Sequence, residues 1–148
     1  MSLEEYRRKR NFDRTREPMG EEKGSSGGIY VIQKHAATHL HYDLRLEMEG
    51  VLKSWAVPKM PPLEKGVKRL AVQVEDHPID YAAFEGTIPE GQYGAGTVEI
   101  WDKGHYALKE RNESKIVFEL MGKKLKGIYC LVKYKGKGEK NWLFFRTK

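Results

Sequence analysis

Residues 41–48 alternate strictly between polar and apolar. Read as a strand, Tyr42, Leu44, Leu46 and Met48 take one face and His41, Asp43, Arg45 and Glu47 the other. Glu49-Gly50 then supplies a two-residue turn into a second apolar run, Val51 to Val57. Similar short runs recur to the end of the chain: Ile29 to Gln33 before this hairpin, and Leu70 to Val74, Thr97 to Trp101, His105 to Leu108, Ile116 to Leu120, Gly127 to Tyr134 and Trp142 to Arg146 after it. Gly104, Gly122 and Gly136-Lys137-Gly138 punctuate them. Helical periodicity is confined to a turn near Glu4 to Lys9 and another at Glu64 to Val67. Many short strands without long helical patterns predict an all-β protein, either a barrel or a sandwich.

The first 23 residues lack strand alternation and read as an arm. Gly24-Ser25-Ser26-Gly27-Gly28 is the hinge that divides it from residues 24–148. A chain of 148 residues suits one domain. No apolar run approaches the roughly 20 residues of a spanning helix, and the start of the chain lacks a secretory apolar segment, so a cytoplasmic protein is expected. The lone Cys130 excludes a disulfide framework and a multi-cysteine zinc knuckle. The net charge of +6 is unevenly spread: +1 over residues 1–23, −4 over 24–102 and +9 over 103–148. An acidic centre beside a basic half fits a cation site whose surroundings attract a polyanion, although a solvated lysine surface gives the same totals.

Candidate chemistry concentrates in the alternating strand. His41 and Asp43 project together and can share a divalent ion, and Arg45, one step on, can grip an anion bound to it. His35 and His39 have the same parity and join the site if the strand extends that far. Two His and one Asp leave coordination positions open, which suits Mn²⁺, Fe²⁺ or Zn²⁺ in a catalytic role. A His-x-Asp-x-Arg pattern taken alone is more often the solvated face of a half-exposed strand. A second cluster, Glu75-Asp76-His77-Pro78-Ile79-Asp80-Tyr81, offers carboxylates, a phosphate donor or a general acid, or simply a turn. The glycine-rich stretch 86–96 lacks the Gly-Lys-Ser/Thr ending of a phosphate loop and reads as a structured turn beside the site. Arg7-Arg8-Lys9-Arg10 would, alone, be a solvated basic tail.

In combination, these stretches resemble the 3′-phosphoesterase domain of DNA ligase D, from the prokaryotic end-joining system. The resemblance rests on Gln33-Lys34-His35, on 40–47 (Leu-His-Tyr-Asp-Leu-Arg-Leu-Glu) and on 50–59, which ends in Val57-Pro58-Lys59. It continues through Val74-Glu75-Asp76-His77-Pro78-Ile79-Asp80-Tyr81, Phe84-Glu85-Gly86, the run 88–98 and Trp101-Asp102, with Arg10-Asn11-Phe12 and Glu17-Pro18 in the arm. It covers essentially the whole chain and suggests a stand-alone member.

The resemblance implies a compact single-domain β-barrel whose N-terminal arm folds over an active-site crater. It implies a Mn²⁺-dependent hydrolase of DNA repair by non-homologous end joining, with Co²⁺ or Zn²⁺ as other ions the site would bind. Such an enzyme acts on primer–template 3′ ends of DNA or RNA, removing a terminal 3′ ribonucleoside and then hydrolysing the 3′-phosphate to a 3′-OH. A separate ligase or polymerase would be its partner; no membrane is involved. Carried over by position, His35, His41 and Asp43 are metal ligands. Arg45, His77 and Arg10 contact phosphate, with His77 also a candidate acid. Glu17, Glu75, Tyr81 and Lys59 complete the catalytic set. Two departures stand out: Asn11 replaces a usual Asp, and Thr38-His39 replaces a commonly basic pair. The rival readings are a non-catalytic nucleic-acid-binding β-barrel, with Trp55, Trp101 and Trp142 for stacking, and a small-molecule metalloenzyme.

Overall fold

The computed structural model describes residues 3–12, 17, 28–134 and 138–148. Residues 24–27 of the expected hinge, Pro18 and Gly136-Lys137 lie outside that set. Nine strands follow a short N-terminal helix, α1 (Glu4–Arg8): β1 (Ile29–Ala36), β2 (Leu40–Met48), β3 (Val51–Val57), β4 (Lys68–His77), β5 (Gly86–Ile88), β6 (Gly96–Arg111), β7 (Lys115–Gly122), β8 (Lys126–Lys133) and β9 (Asn141–Arg146). The sheet order is β1-β2-β3-β4-β9-β8-β7-β6-β5, and β1 also pairs with β6. The antiparallel strands other than β5 therefore close into an eight-stranded barrel, leaving no free edge in its wall. Short β5 pairs with the start of β6, outside that ring. Among the described residues no helix is long and apolar enough to cross a membrane.

Strand alternation sorts side chains into two apolar clusters. Tyr42, Leu44, Leu46, Trp55, Tyr106, Phe118, Leu131 and Phe144 belong to the cluster that fills the barrel, to which every barrel strand contributes. A smaller cluster of Tyr6, Leu52, Tyr81, Phe84, Ile88 and Val98 lies on the other face of the wall. There a second layer, made of α1, the 3₁₀ helix Ile79–Ala83 and β5, covers part of the barrel's outer surface. Tyr6 anchors α1 to this layer and is completely buried. The acidic residues Glu4 and Glu5 open that helix and Arg7 and Arg8 close it, an order its dipole favours.

The hairpin between β2 and β3 turns on Glu49 and Gly50, both at positive φ (55° and 81°), as a two-residue type I′ connection requires. Other details depart from the sequence reading. The expected strands 97–101 and 105–108 are one strand, β6, with a bulge where the β1 partner shifts from Asp102 to Ile100 and Trp101 is left over. Glu64 to Val67 is not helical; Lys65 forms an isolated parallel bridge to Arg146. The stretch 86–96 contains β5, and the 3₁₀ helix follows His77-Pro78, where proline sets an extended φ before the turn.

Gly96 sits where β6 meets both β1 and β5. At its φ of +137° a Cβ would lie on the carbonyl oxygen of Ala36. Gly96→Ala should therefore destabilise the fold by about 2 kcal/mol or more. A urea midpoint within error of wild type would refute this account of the seam.

Candidate active site

The wall between β1 and β4 carries the polar face of β2 outward. His41, Asp43 and Arg45 share that face, as alternation predicts. Asp43 and Arg45 are nonetheless only 6% and 3% exposed, because the second layer covers them. A solvated strand face is thereby excluded. His35 does not arrive by extension of β2, which begins at Leu40. It comes from β1, directly opposite His41 in the antiparallel register. His39, of the same parity, lies in the connection between the two strands and is exposed.

One ligand atom from each of His35, His41 and Asp43 falls within 4.8 Å of the others. Asp43 Oδ1 is 3.3 Å from His41 Nε2, and Oδ2 is 3.7 Å from His35 Nδ1. The outer nitrogens are committed elsewhere. His35 Nε2 is 2.7 Å from the Gly94 carbonyl and His41 Nδ1 3.1 Å from the His39 carbonyl. A carbonyl only accepts, so each of these nitrogens carries the proton. In the neutral rings the lone pairs of His35 Nδ1 and His41 Nε2 are thus left facing the carboxylate. Fixing the tautomer through a backbone acceptor is how proteins prepare imidazoles for a metal, so the trio fits a divalent ion. Burial opposes the charge on Asp43, but Arg45, and the imidazoles where a proton on the inner nitrogen lets them donate, outweigh it and hold the carboxyl well below the usual carboxylate range. His41 is shifted upward despite its burial, chiefly because in its protonated form Nε2 donates to Asp43, a proton that a bound cation would displace.

Beside this trio lies a cavity of about 300 Å³, bordered also by Arg10, Glu17, Arg45, Glu75, His77, Tyr81, Tyr93 and Gly94. Arg45 Nε donates to Gln33 Oε1 at 2.7 Å, and its Nη2 lies 3.5 Å from Asp43. Its Nη1 is buried and has no hydrogen-bond partner among the described residues. A buried guanidinium donor without an acceptor is costly unless an oxyanion completes it. His77 reaches the same cavity through a bulge in β4. The β3 partners Leu52 and Ser54 face His77 and Val74, so β4 has one residue more than strict pairing allows. That extra residue lets Val74, Glu75 and His77 all border the cavity, although strict alternation would separate Val74 from the other two.

The arm closes the cavity's other side. Arg10 Nε donates to Glu17 at 3.0 Å, one Nη donates to Glu75 at 3.2 Å and the other lies 3.3 Å from His77 Nε2. The Tyr81 hydroxyl donates to Glu17 at 2.6 Å. His77 Nδ1 lies 3.0 Å from the Glu75 carbonyl. Because it donates there, Nε2 is an acceptor toward Arg10. The ring is therefore neutral in this arrangement: burial first, then Arg45 and Arg10, push its pKa well below the ordinary 6.5. In the unfolded chain this imidazole takes up a proton as pH falls through about 6.5, whereas in the folded chain it does not. Stability must therefore fall on acidification below that point, with a slope approaching 1.4 kcal/mol per pH unit for the one proton, roughly. His41, shifted upward, acts in the opposite sense. Urea unfolding of wild type and His77→Gln between about pH 7 and about pH 5 isolates the His77 part. The variant should lose the acid-side decline, and parallel slopes would refute it.

The structure thus brings together His35, His41, Asp43, Arg45, His77, Arg10, Glu17, Glu75 and Tyr81. Lys59 stands apart, exposed on the segment after β3 and not among the cavity's lining residues. Asn11 is exposed and likewise outside the lining. Gln33 was part of a matching motif but was given no role from sequence, yet it is wholly buried and its amide also donates to the carbonyls of Tyr81 and Phe84. A lone glutamine inside the apolar run of β1 was the available signal.

Comparison with known proteins follows the same line. A family model described as the DNA Ligase D 3′-phosphoesterase domain matches residues 33–133. The chain is 50% identical over 155 residues to the multifunctional non-homologous end joining protein LigD of Pseudomonas aeruginosa, covering 99% of this chain and 18% of that protein. It is 45% identical over 159 residues to the protein of the same name from Mycolicibacterium smegmatis, covering 99% of this chain and 20% of that protein. The chain thus spans about a fifth of the length of these curated relatives.

Proposed function

The chain belongs to the DNA ligase D 3′-phosphoesterase domain family, and on that premise we propose that it is a metal-dependent phosphoesterase that heals 3′ ends. It removes a 3′-terminal ribonucleoside from a DNA or RNA primer strand and hydrolyses the remaining 3′-phosphate to a 3′-OH. In this reading residues 24–148 are the catalytic barrel and residues 1–23 the arm that completes its site. The observation that carries it is the convergence on one cavity of a His-His-Asp trio and a buried, unpartnered guanidinium donor.

The charges support the same conclusion. Among the groups that line the cavity, Glu17, Asp43 and Glu75 are acidic and Arg10 and Arg45 basic, linked by ion pairs. A divalent ion held by His35, His41 and Asp43 would turn this balance positive, the sign that complements a phosphate. Two imidazoles and one carboxylate suit a first-row transition ion, with Mn²⁺ the ion the family resemblance names and Co²⁺ or Zn²⁺ acceptable to the same donors. When bound, the ion supplies Lewis-acid charge at the phosphoryl group.

The protein side chains do the rest. Arg45 Nη1 and the Arg10 guanidinium hold the non-bridging oxygens where charge grows in the transition state. Glu17, Glu75 and Tyr81 fix Arg10. In the first reaction the bond from phosphorus to the departing nucleoside's O5′ breaks, and in the second the bond to O3′. Each time the oxygen of water joins phosphorus and the leaving oxygen takes up a proton. His77 Nε2 faces the cavity, and a phosphate dianion beside it raises its affinity for the proton it then gives up. Lys59 and the +9 segment serve the strand outside the cavity. The product 3′-OH is the substrate class of a ligase or polymerase, the proposed partners, and the cytoplasm the proposed setting.

Incubation with a 3′-phosphate primer–template, a 3′-ribonucleotide primer–template and a nucleoside 3′-monophosphate, with and without Mn²⁺, tests this reading. Mn²⁺-dependent processing of both primers is expected. Tight primer binding without processing would replace the reading with that of a binding module, and exclusive turnover of the mononucleotide with that of a small-molecule enzyme.

A further inference from the structure

The segment between β5 and β6 touches the arm with one residue and a proposed metal ligand with the next. Tyr93 is 45% exposed at the rim of the cavity. Lys9 Nζ sits 4.7 Å from its ring centroid and 3.4 Å from its hydroxyl, and the Arg10 guanidinium lies 5.3 Å from the same centroid. The arm's two cations thus grip one aromatic ring. The carbonyl of the following Gly94 accepts the His35 Nε2–H at 2.7 Å. The backbone between is built to aim that carbonyl. Gln92 N donates to Pro89 O and Ala95 N to Gln92 O, with Gly91 and Gly94 at φ of 85° and 75°. A Cβ on Gly94 would stand 3.5 Å from His35 Cε1, so the imidazole lies flush against this turn.

We propose that Tyr93 is a positioning residue: by docking on Lys9 and Arg10 of the arm, it holds the Gly94 carbonyl against His35 and so sets the affinity of the His35–His41–Asp43 trio for its divalent ion. The inference rests on the reading of that trio as a metal site. Without the ring, the turn loses its tether to the arm, the carbonyl wanders from Nε2, and the tautomer that presents Nδ1 is no longer fixed. Linkage makes the effect reciprocal, so occupancy of the trio tightens the hold of the turn on the arm.

Titration of the protein with Mn²⁺, followed by the electron paramagnetic resonance signal of the free ion, reads the affinity without substrate or turnover. Tyr93→Ala should bind Mn²⁺ about tenfold more weakly than wild type, with an unchanged thermal midpoint because the side chain is half exposed. Tyr93→Leu, which keeps bulk without a π face, should show the same loss and serves if the alanine variant folds poorly. Tyr93→Phe, which keeps the face, should retain wild-type affinity. Wild-type affinity in folded Tyr93→Leu overturns the proposal, as does a loss in Tyr93→Phe equal to that in Tyr93→Leu. Wild-type affinity in His41→Ala would instead overturn the metal site itself, so the two failures are distinguishable.

Discussion

Asp43→Asn is expected to abolish Mn²⁺ binding and to lower both 3′-end activities by well over about 100-fold, more than the loss of a residue that only orients a ligand. The substitution is nearly isosteric, so its effect reports charge rather than shape. Asp43 touches both imidazoles and Arg45. The amide nitrogen of asparagine would either donate to an imidazole lone pair and so occupy a ligand atom, or face the Arg45 guanidinium donor against donor. Arg45, 3% exposed, also loses the charge that offsets its burial. The apoprotein should therefore be less stable by about 3 kcal/mol, the range seen when one partner of a buried ion pair is removed. His41→Ala should match the loss of activity with a smaller loss of stability, since its side chain is 25% exposed. Near-wild-type phosphatase turnover in either purified variant would remove the metal assignment.

Deletion of residues 1–20 should be nearly as damaging to catalysis while leaving the barrel folded. The two apolar clusters explain why the effects separate. Among the described residues, only the outer cluster draws on the arm, through Tyr6, with Phe12 packed against it. The interior cluster contains no arm residue. Arg10 and Glu17 leave together, so the deletion strands one buried carboxylate, Glu75, rather than a whole network. Arg10→Ala alone should be worse for stability than its size suggests, because Glu17 and Glu75 both remain buried without it. Circular dichroism of the truncated protein should show β structure and a lower melting midpoint, and its 3′-phosphatase rate should fall by at least about 100-fold. A truncated protein with wild-type turnover would make the arm a bystander.

Much of this architecture was legible because alternation is a strong signal. The division of β2 into Tyr42, Leu44, Leu46 and Met48 inward and His41, Asp43 and Arg45 outward holds in the structure, as does the Glu49-Gly50 hairpin. What alternation cannot show is pairing between distant strands. His35 meets His41 through register, not through a shared strand. Nor can it show a bulge. The extra residue in β4 shifts the parity that would otherwise separate Val74 from His77, and the one in β6 disguised a single strand as two. The covering of the wall by the arm was expected from the resemblance alone and that by the 3₁₀ helix was hidden, because burial of a polar face leaves no apolar pattern behind. His41, Asp43 and Arg45 were legible from alternation and Glu75, His77 and Tyr81 from the composition of their cluster, whereas the choice of His35 over His39 and the inclusion of Arg10 and Glu17 came by resemblance, and the structure places all of them but His39 around one cavity. Lys59 came by the same route and does not line it.

The reactive groups stand on the outside of a closed barrel whose interior is packed chiefly with aliphatic and aromatic side chains, and this divides the chain's tolerance to mutation in two. Conservative swaps among Leu44, Leu46, Phe118, Leu131 and Phe144 can drift as long as total volume is kept. Such changes alter the melting point and leave the chemistry alone. Selection for turnover and selection for robustness thus act on opposite faces of the same strands. Laboratory evolution toward heat resistance can therefore be directed at the inward positions without trading away activity.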